Sequence, residues 1–455
     1  MRGTRAKHRR LYPLLAGSWA AFALLSGGCI DEPKREKTPG AAGMAGLAGM
    51  GGRIGGAGGL PGGAAGAGLE EAGASGAAID VGGRGGEGGV RAEAGDGPGG
   101  DTGSPLAGSG GEAGEIDTFA EPCPISALDG WASVAGLGFD PANQPTALEV
   151  SVSNATDLAN YAASPDPYII HITGTIALPV LDVKSNKTIV GDDANATLEG
   201  GIRIAGSSTA AVDMVSNVVI RNLRINAASS LTTDPPGIDA DGISIAYAHH
   251  VYIDHVDILD TPGDSIDITN GSDYVSVSWS KFRFVTTSRG TGVRIGHSDA
   301  NAVEDTGRLK VTLHHDWWTD SLDQRMPRVR FGDVHVFDNY FSHTGEGVNS
   351  YAIAAALESR LLVENNYFDQ VQNPHVFFSF DSSTNMAAFS EPTAQMVATG
   401  NTYVGRSDDA AGKQSGQGSA FTPPYAVTLE PAETLLKQFV RHCSGPLTRA
   451  PVDNP

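Results

Sequence analysis

HHVYIDHVDIL, residues 249–259, is a short run of alternating apolar residues, then a polar corner, then a second short apolar run. The same unit returns as SNVVIRNLRI (216–225), DYVSVSWSKF (273–282) and LKVTLHHDWW (309–318). It returns again as GDVHVFDNYF (332–341), RLLVENNYF (360–368) and QMVATGNTYV (395–404). Successive units start roughly 23 to 35 residues apart, a spacing that signals a solenoid. Alternation and β-branched residues signal strands, and little in this region has a helical period. Parallel coils satisfy both signals, because each strand then stacks on the strand one turn earlier. The expected fold is all-β, a parallel β-helix.

The polar corners have a structural reading. Asn222, Asn339, Asn366 and Asn401 stand where the chain must bend. Asn tolerates the left-handed backbone region, and its amide can bond the same group one coil away. The pairs Trp317–Trp318, Tyr340–Phe341 and Tyr367–Phe368 are read as stacked core or wall rather than as sugar platforms. Upstream, SNATDLANYAASPDPYIIHITGTI from Ser153 predicts one short helix followed by a strand, a cap for the open N-terminal end. An uncapped end would expose the core and a strand edge.

Outside the repeats the composition changes. About half of the 60 glycines lie between Gly40 and Glu115, a stretch almost without aromatic residues. Such a segment cannot bury enough apolar surface to offset its ordering entropy, so 30–116 is read as a disordered linker. Before it, Arg2, Arg5, Lys7, Arg9 and Arg10 precede an apolar run, Leu11 to Leu25, and the small residues Ser26, Gly27 and Gly28. Residues 1–29 thus have the parts of a secretory signal and are too short for a membrane span. Cys29, directly after the small residues, resembles the lipidated cysteine of a bacterial lipobox, although Ser26 stands where an aliphatic residue is usual. The linker then serves as a tether, and the expected location is secreted or on the outer surface as a lipoprotein. The folded domain is placed at 117–445, with 446–455 as a tail. Cys123 and Cys443 lie near its two ends and can pair in an oxidising compartment; two separate thiols is the other reading. A net charge of −21 argues against nucleic-acid binding. An anionic polymer would need a local cationic cluster or a bound metal ion set against that global charge.

Two stretches carry chemistry. VTLHHDWWTDSLDQRMPRVRFGDVHVFDNYF, 311–341, holds Arg325, Arg328 and Arg330 within six residues. Taken alone it reads as an arginine-rich exposed edge. IDADGISIAYAHHVYIDHVDILDTPGDSIDITNGSDYVSVSWSKF, 238–282, holds Asp239, Asp241, Asp260, Asp264 and Asp267 on two adjacent coils. Any one of these can be a turn former, but clustered carboxylates suit a hard cation such as calcium.

Both stretches resemble the extracellular bacterial pectate lyases of polysaccharide lyase family 1. The resemblance rests on DAD at Asp239–Asp241, YIDH at Tyr252–His255, IDITNGSDYVSVSW at Ile266–Trp279, and HHDWW…QRMPRVRFGDVHVFDNYF. It covers roughly residues 150 to 405 and implies a right-handed, single-stranded parallel β-helix, active as a monomer on polygalacturonate. It also implies β-elimination. Calcium acidifies the proton on C5 of the uronate, an arginine removes it, and the C4–O bond to the next sugar breaks. The first Arg of R-x-P-x-x-R, the family's base, maps to Arg325; Arg330 and Arg328 map to substrate contacts. Asp239, Asp241 and Asp267 map to the calcium ligands. Where the family has a fourth acid this chain has Gly263, so either Asp264 substitutes or one ligand is missing. The family's substrate Lys maps to Thr291, leaving that role vacant or taken by Arg294 or Arg289. Two rivals remain: a pectin lyase acting on the methyl ester without calcium, and a non-catalytic surface β-helix that binds polysaccharide. A polygalacturonase-type hydrolase would need paired carboxylic acids in a series absent here.

Overall fold

The computed structural model describes residues 123–124, 127–227, 241–285, 290–344, 349–381, 386–388, 393–410 and 420–448. Residues 1–29, expected to be an export signal, with Cys29, the Gly/Ala-rich stretch, Asp239, Arg289 and residues 449–455 of the tail lie outside them. The described chain coils as a parallel β-helix with three faces. One turn shows the plan: Ala248–Asp254 on the first face, Asp257–Leu259 on the second, Asp264–Thr269 on the third, then Asp273–Ser278 on the first again. The first face has ten parallel strands, from Leu148–Val152 to Gln395–Thr399. The other two faces are joined through the long strand Thr197–Ala205, which pairs with both Arg224–Asn226 and Ile243–Ala246.

Strict register makes the core. Ile170, Ile189, Ile220, Ile253, Val277, Leu313, Val336 and Val363 sit directly above one another, and none is exposed. Burying each such side chain is worth about 1.5–3 kcal/mol. On the second face the inward column is aromatic. Phe282, Trp318, Phe341, Phe368 and Tyr403 stack with centroids 4.3, 5.6, 4.6 and 5.3 Å apart.

Each repeat quoted above proves to be two strands and the corner between them. The corner needs one residue at positive φ, and the asparagines divide. Asn222 takes that conformation (φ 54°), but in the later coils it falls on the preceding residue: Asp338, Asn365 and Gly400. Asn339, Asn366 and Asn401 instead form a ladder. The N–H of Asn339 donates to Asn366 Oδ1 at 3.0 Å, and that of Asn366 to Asn401 Oδ1 at 2.9 Å. Their amide Nδ2 groups donate to carbonyls one coil back.

The helix expected near Ser153 is Ala155–Ala163, capped by the Asn154 side chain, which accepts the N–H of Asp157 at 3.0 Å. Leu158 and Ala162, one helical turn apart, enter the main core. The outer side of the first face is covered in its middle. A turn at Gly130–Ser133 docks there, with Trp131 N–H on Thr312 Oγ1 and Ala132 N–H on Ser276 Oγ, both at 3.0 Å. The helix Thr434–Cys443 packs Leu436 and Val440 against Tyr340 and Tyr367 on the second face. A disulfide joins Cys123 to Cys443, with Cα atoms 5.3 Å apart.

Candidate active site

The third face carries the charges. In Asp264–Thr269, Ile266 and Ile268 point into the core, so Asp267 between them points out. In Gly290–Ile295, Val293 and Ile295 do the same for Arg294. Register then stacks Ser244, Asp267, Arg294 and Arg328 in one column, one coil apart.

Arg294 forks onto Asp267: Nε donates to Oδ1 and Nη2 to Oδ2, each at 2.8 Å. Its Nε also lies 3.2 Å from Asp264 Oδ2. Arg325 donates through Nη1 to both oxygens of Asp264, each at 2.8 Å. Asp241 backs the pair. Its Oδ1 accepts the N–H of Asp264 at 2.7 Å, and its Oδ2 accepts the Ser244 hydroxyl at 3.0 Å. Burial, together with the negative charges of Asp267 and Asp264, pushes the Asp241 carboxyl well above the usual carboxylate range, although Arg294 opposes this. Burial works against the Arg294 cation, but its hydrogen bonds and the charges of Asp267, Asp264 and Asp241 raise its pKa nonetheless. Three buried carboxylates therefore share two directly paired guanidinium groups.

The remaining predicted residues scatter. Arg328 is not ion-paired to the cluster. It lies against Tyr351, with its guanidinium carbon 5.7 Å from the centre of the Phe378 ring. Burial and then the nearby Arg325 charge lower it to about 10. Arg330 stands farther along the same face, held by Asp299 Oδ1 at 2.7 Å rather than by the central carboxylates. Asp260 is a corner residue (φ 49°) whose Oδ1 accepts the N–H of Val285 at 2.7 Å, away from the cluster. Thr291, across from Asp264, donates its hydroxyl to the Gly263 carbonyl at 3.1 Å. No sequence signal marked Ser244, Tyr351 or Asp299 as partners, since each is brought in only by stacking of coils or loops.

The chain matches the pectate lyase family model over residues 125–432. It belongs to the pectate lyase family. This pectate lyase is 34% identical to pectate lyase A of Aspergillus niger over 259 residues, 54% of this chain and 72% of that protein. It is 35% identical to the pectate trisaccharide-lyase of Thermotoga maritima over 220 residues, 46% of this chain and 56% of that one. Among solved structures, a thermostable pectate lyase superposes with a TM-score of 0.54 at 22% identity, covering 74% of this chain and all of that one. A pectate lyase from Bacillus sp. N165 in complex with trigalacturonate gives 0.52 at 24%, covering 70% and 98%. At these identities the structures speak for the fold: a parallel β-helix.

The donor set of this pectate lyase suits a hard divalent cation in type and charge, being carboxylate oxygens in excess over their paired arginines. The oxygens are not gathered, however. Among the described residues no three carboxylates bring ligand atoms within 4.8 Å of one another, and Arg294 stands among them.

Proposed function

We propose that this polysaccharide lyase cleaves α-1,4-polygalacturonate at the third face, using calcium held by Asp241, Asp267, Asp264 and Asp239. The observation that carries this reading is the cluster of Asp241, Asp264 and Asp267, laced by Arg294 and Arg325 on one side of the helix. When bound, calcium would withdraw charge from the uronate carboxylate and so acidify C5. The chain's own part is geometric and electrostatic. With no ion bound, Asp264 holds Arg325 by one nitrogen, which fixes its guanidinium beside the carboxylates as the proposed base for the C5 proton. As that proton leaves, the C4–O bond breaks and the C4=C5 double bond forms; the departing oxygen takes a proton from water. A guanidinium is ordinarily a cation at neutral pH, so a reaction that uses one as its base should quicken in alkaline solution. Arg328 and Arg330 add positive charge along the path of an anionic polymer.

The test is the absorbance of the 4,5-unsaturated product on polygalacturonate, with EDTA and with calcium added back. Activity lost with EDTA and restored by calcium supports the reading. A second reading, pectin lyase, is favoured by one observation: Arg294 already supplies a cation to Asp267. Full activity in EDTA, greater on methyl-esterified pectin, would select it. We also propose that residues 1–29 export a bacterial protein, that Cys29 is its lipid anchor, and that the Gly/Ala stretch tethers the monomeric lyase outside the cell. Mass spectrometry of the mature N-terminus decides between a lipidated Cys29 and plain secretion.

A further inference from the structure

We infer that Arg294 is an internal competitor for the cation site: its guanidinium holds the carboxylates that a divalent ion needs, and it must leave them before the ion can bind. The inference rests on the calcium reading and goes beyond it, because it assigns the affinity of the site to one side chain. Four observations support it. Arg294 engages both oxygens of Asp267 at 2.8 Å, and its Nε approaches Asp264 at 3.2 Å, so one cation spans two of the proposed ligands. It reaches them from the adjacent coil, in direct register with Asp267, so the backbone fixes the encounter. The pair is largely buried, with side-chain exposures of 14% and 7%, so water screens it weakly. Finally, the described carboxylates are not drawn together into a ready three-ligand nest.

The two states exclude each other for a physical reason. Arg294 occupies both oxygens of Asp267, and a divalent ion cannot join it on that one carboxylate without strong like-charge repulsion. A bidentate arginine–carboxylate pair is also among the stronger polar contacts, so calcium binding must displace it at a cost in free energy. The apparent affinity for calcium is therefore lowered by the fraction of molecules in which Arg294 is docked. Once displaced, the side chain remains tethered beside the ion, on the strand between Asp267 and Arg328, where a uronate carboxylate would be its next acceptor. Calcium and substrate then bind with positive coupling: the ion frees the arginine, and the polymer keeps it away.

The experiment is calorimetric titration of calcium alone into the purified protein, wild type and Arg294→Gln, with no polymer present. Competition predicts that Arg294→Gln binds calcium at least tenfold more tightly. It also predicts that adding a short saturated oligogalacturonate tightens calcium binding more in wild type than in the variant. Equal or weaker affinity in Arg294→Gln overturns the inference while leaving the calcium reading intact. No calcium binding by either protein overturns both. Should Arg294→Gln fail to fold, the wild type still decides: the Nε–H signal of Arg294 in nitrogen-15 spectra must shift as calcium saturates the site. A signal unmoved at saturation overturns the inference.

Discussion

Arg325 and Asp316 show how much one residue's surroundings decide. Arg325 is held by Asp264 through one nitrogen only, and its Nε, also buried, has no hydrogen-bond partner. An Arg325→Lys variant keeps the charge that attracts the polymer and can still bond Asp264. It loses the planar guanidinium and its reach, which positioning for proton abstraction requires. Turnover on polygalacturonate should fall by more than tenfold, about 1.4 kcal/mol in the barrier, while KM changes little. A folded variant that retains more than about a tenth of the turnover would pass the base role to Arg328. Asp316 sits where the later coils place asparagine. Its Oδ1 accepts the N–H of Ser280 at 2.8 Å, but the buried Oδ2 has no partner, and burial raises its pKa well above normal. A raised folded-state pKa means stability that is present below the unfolded pKa and lost as pH rises. Asp316→Asn keeps the acceptor and adds an amide that can reach back one coil, as Asn339 does to Leu313. The variant should be more stable than wild type by about 1–2 kcal/mol at pH 8, with a smaller gain at pH 4.5. Thermal melts at the two pH values check both the sign and its trend; a larger gain in acid would refute the assignment.

At the scale of the element, the solenoid is held by columns that run across coils rather than along the chain. Phe341 lies between Trp318 and Phe368 with near-parallel rings, and none of the three is exposed. Phe341→Ala leaves a cavity in the middle of that column and removes contacts to two coils at once. It should cost about 3–5 kcal/mol, measured by denaturant unfolding. A loss below about 1 kcal/mol would mean that neighbouring coils close the gap. The asparagine ladder is a second column, but its logic is polar. Each side chain accepts a backbone N–H from the coil before and donates to a carbonyl, so no amide of the ladder is left unsatisfied. Its left-handed corners fall mostly on neighbouring residues. The amide thus serves the backbone of the stack more than its own conformation.

Across the whole molecule, the two ends of the described chain meet on the outside of the helix. The disulfide links residues 320 apart in sequence and fastens the segment that covers the first face to the helix that covers the second. Closing so long a loop restricts the unfolded chain strongly, with gains of about 2–5 kcal/mol typical for native disulfides. Replacing both cysteines by serine should lower the midpoint of denaturant unfolding accordingly, with activity at low temperature nearly intact because the site lies on the third face. In the protein purified without reductant, thiol labelling should find neither Cys123 nor Cys443. Two labelled thiols, or a double variant as stable as wild type, would show that the covers dock without the staple.

The repeat itself was legible from sequence because the first two strands of each coil alternate cleanly and end in a polar corner. The family resemblance was legible because its motifs are long and ordered along the chain. Residue order alone also marked Asp241, Asp264, Asp267, Arg294 and Arg325 as candidates. It could not tell which of them meet, because the strands of the charged third face are set between loops of unequal length. Only coil stacking puts Arg294 across from Asp267 and Arg325 onto Asp264, and sends Arg330 to Asp299. Side chains 27 and 61 residues apart in sequence became neighbours there. The physical reason is that a solenoid fixes contacts by register between coils, and register depends on how every intervening loop closes.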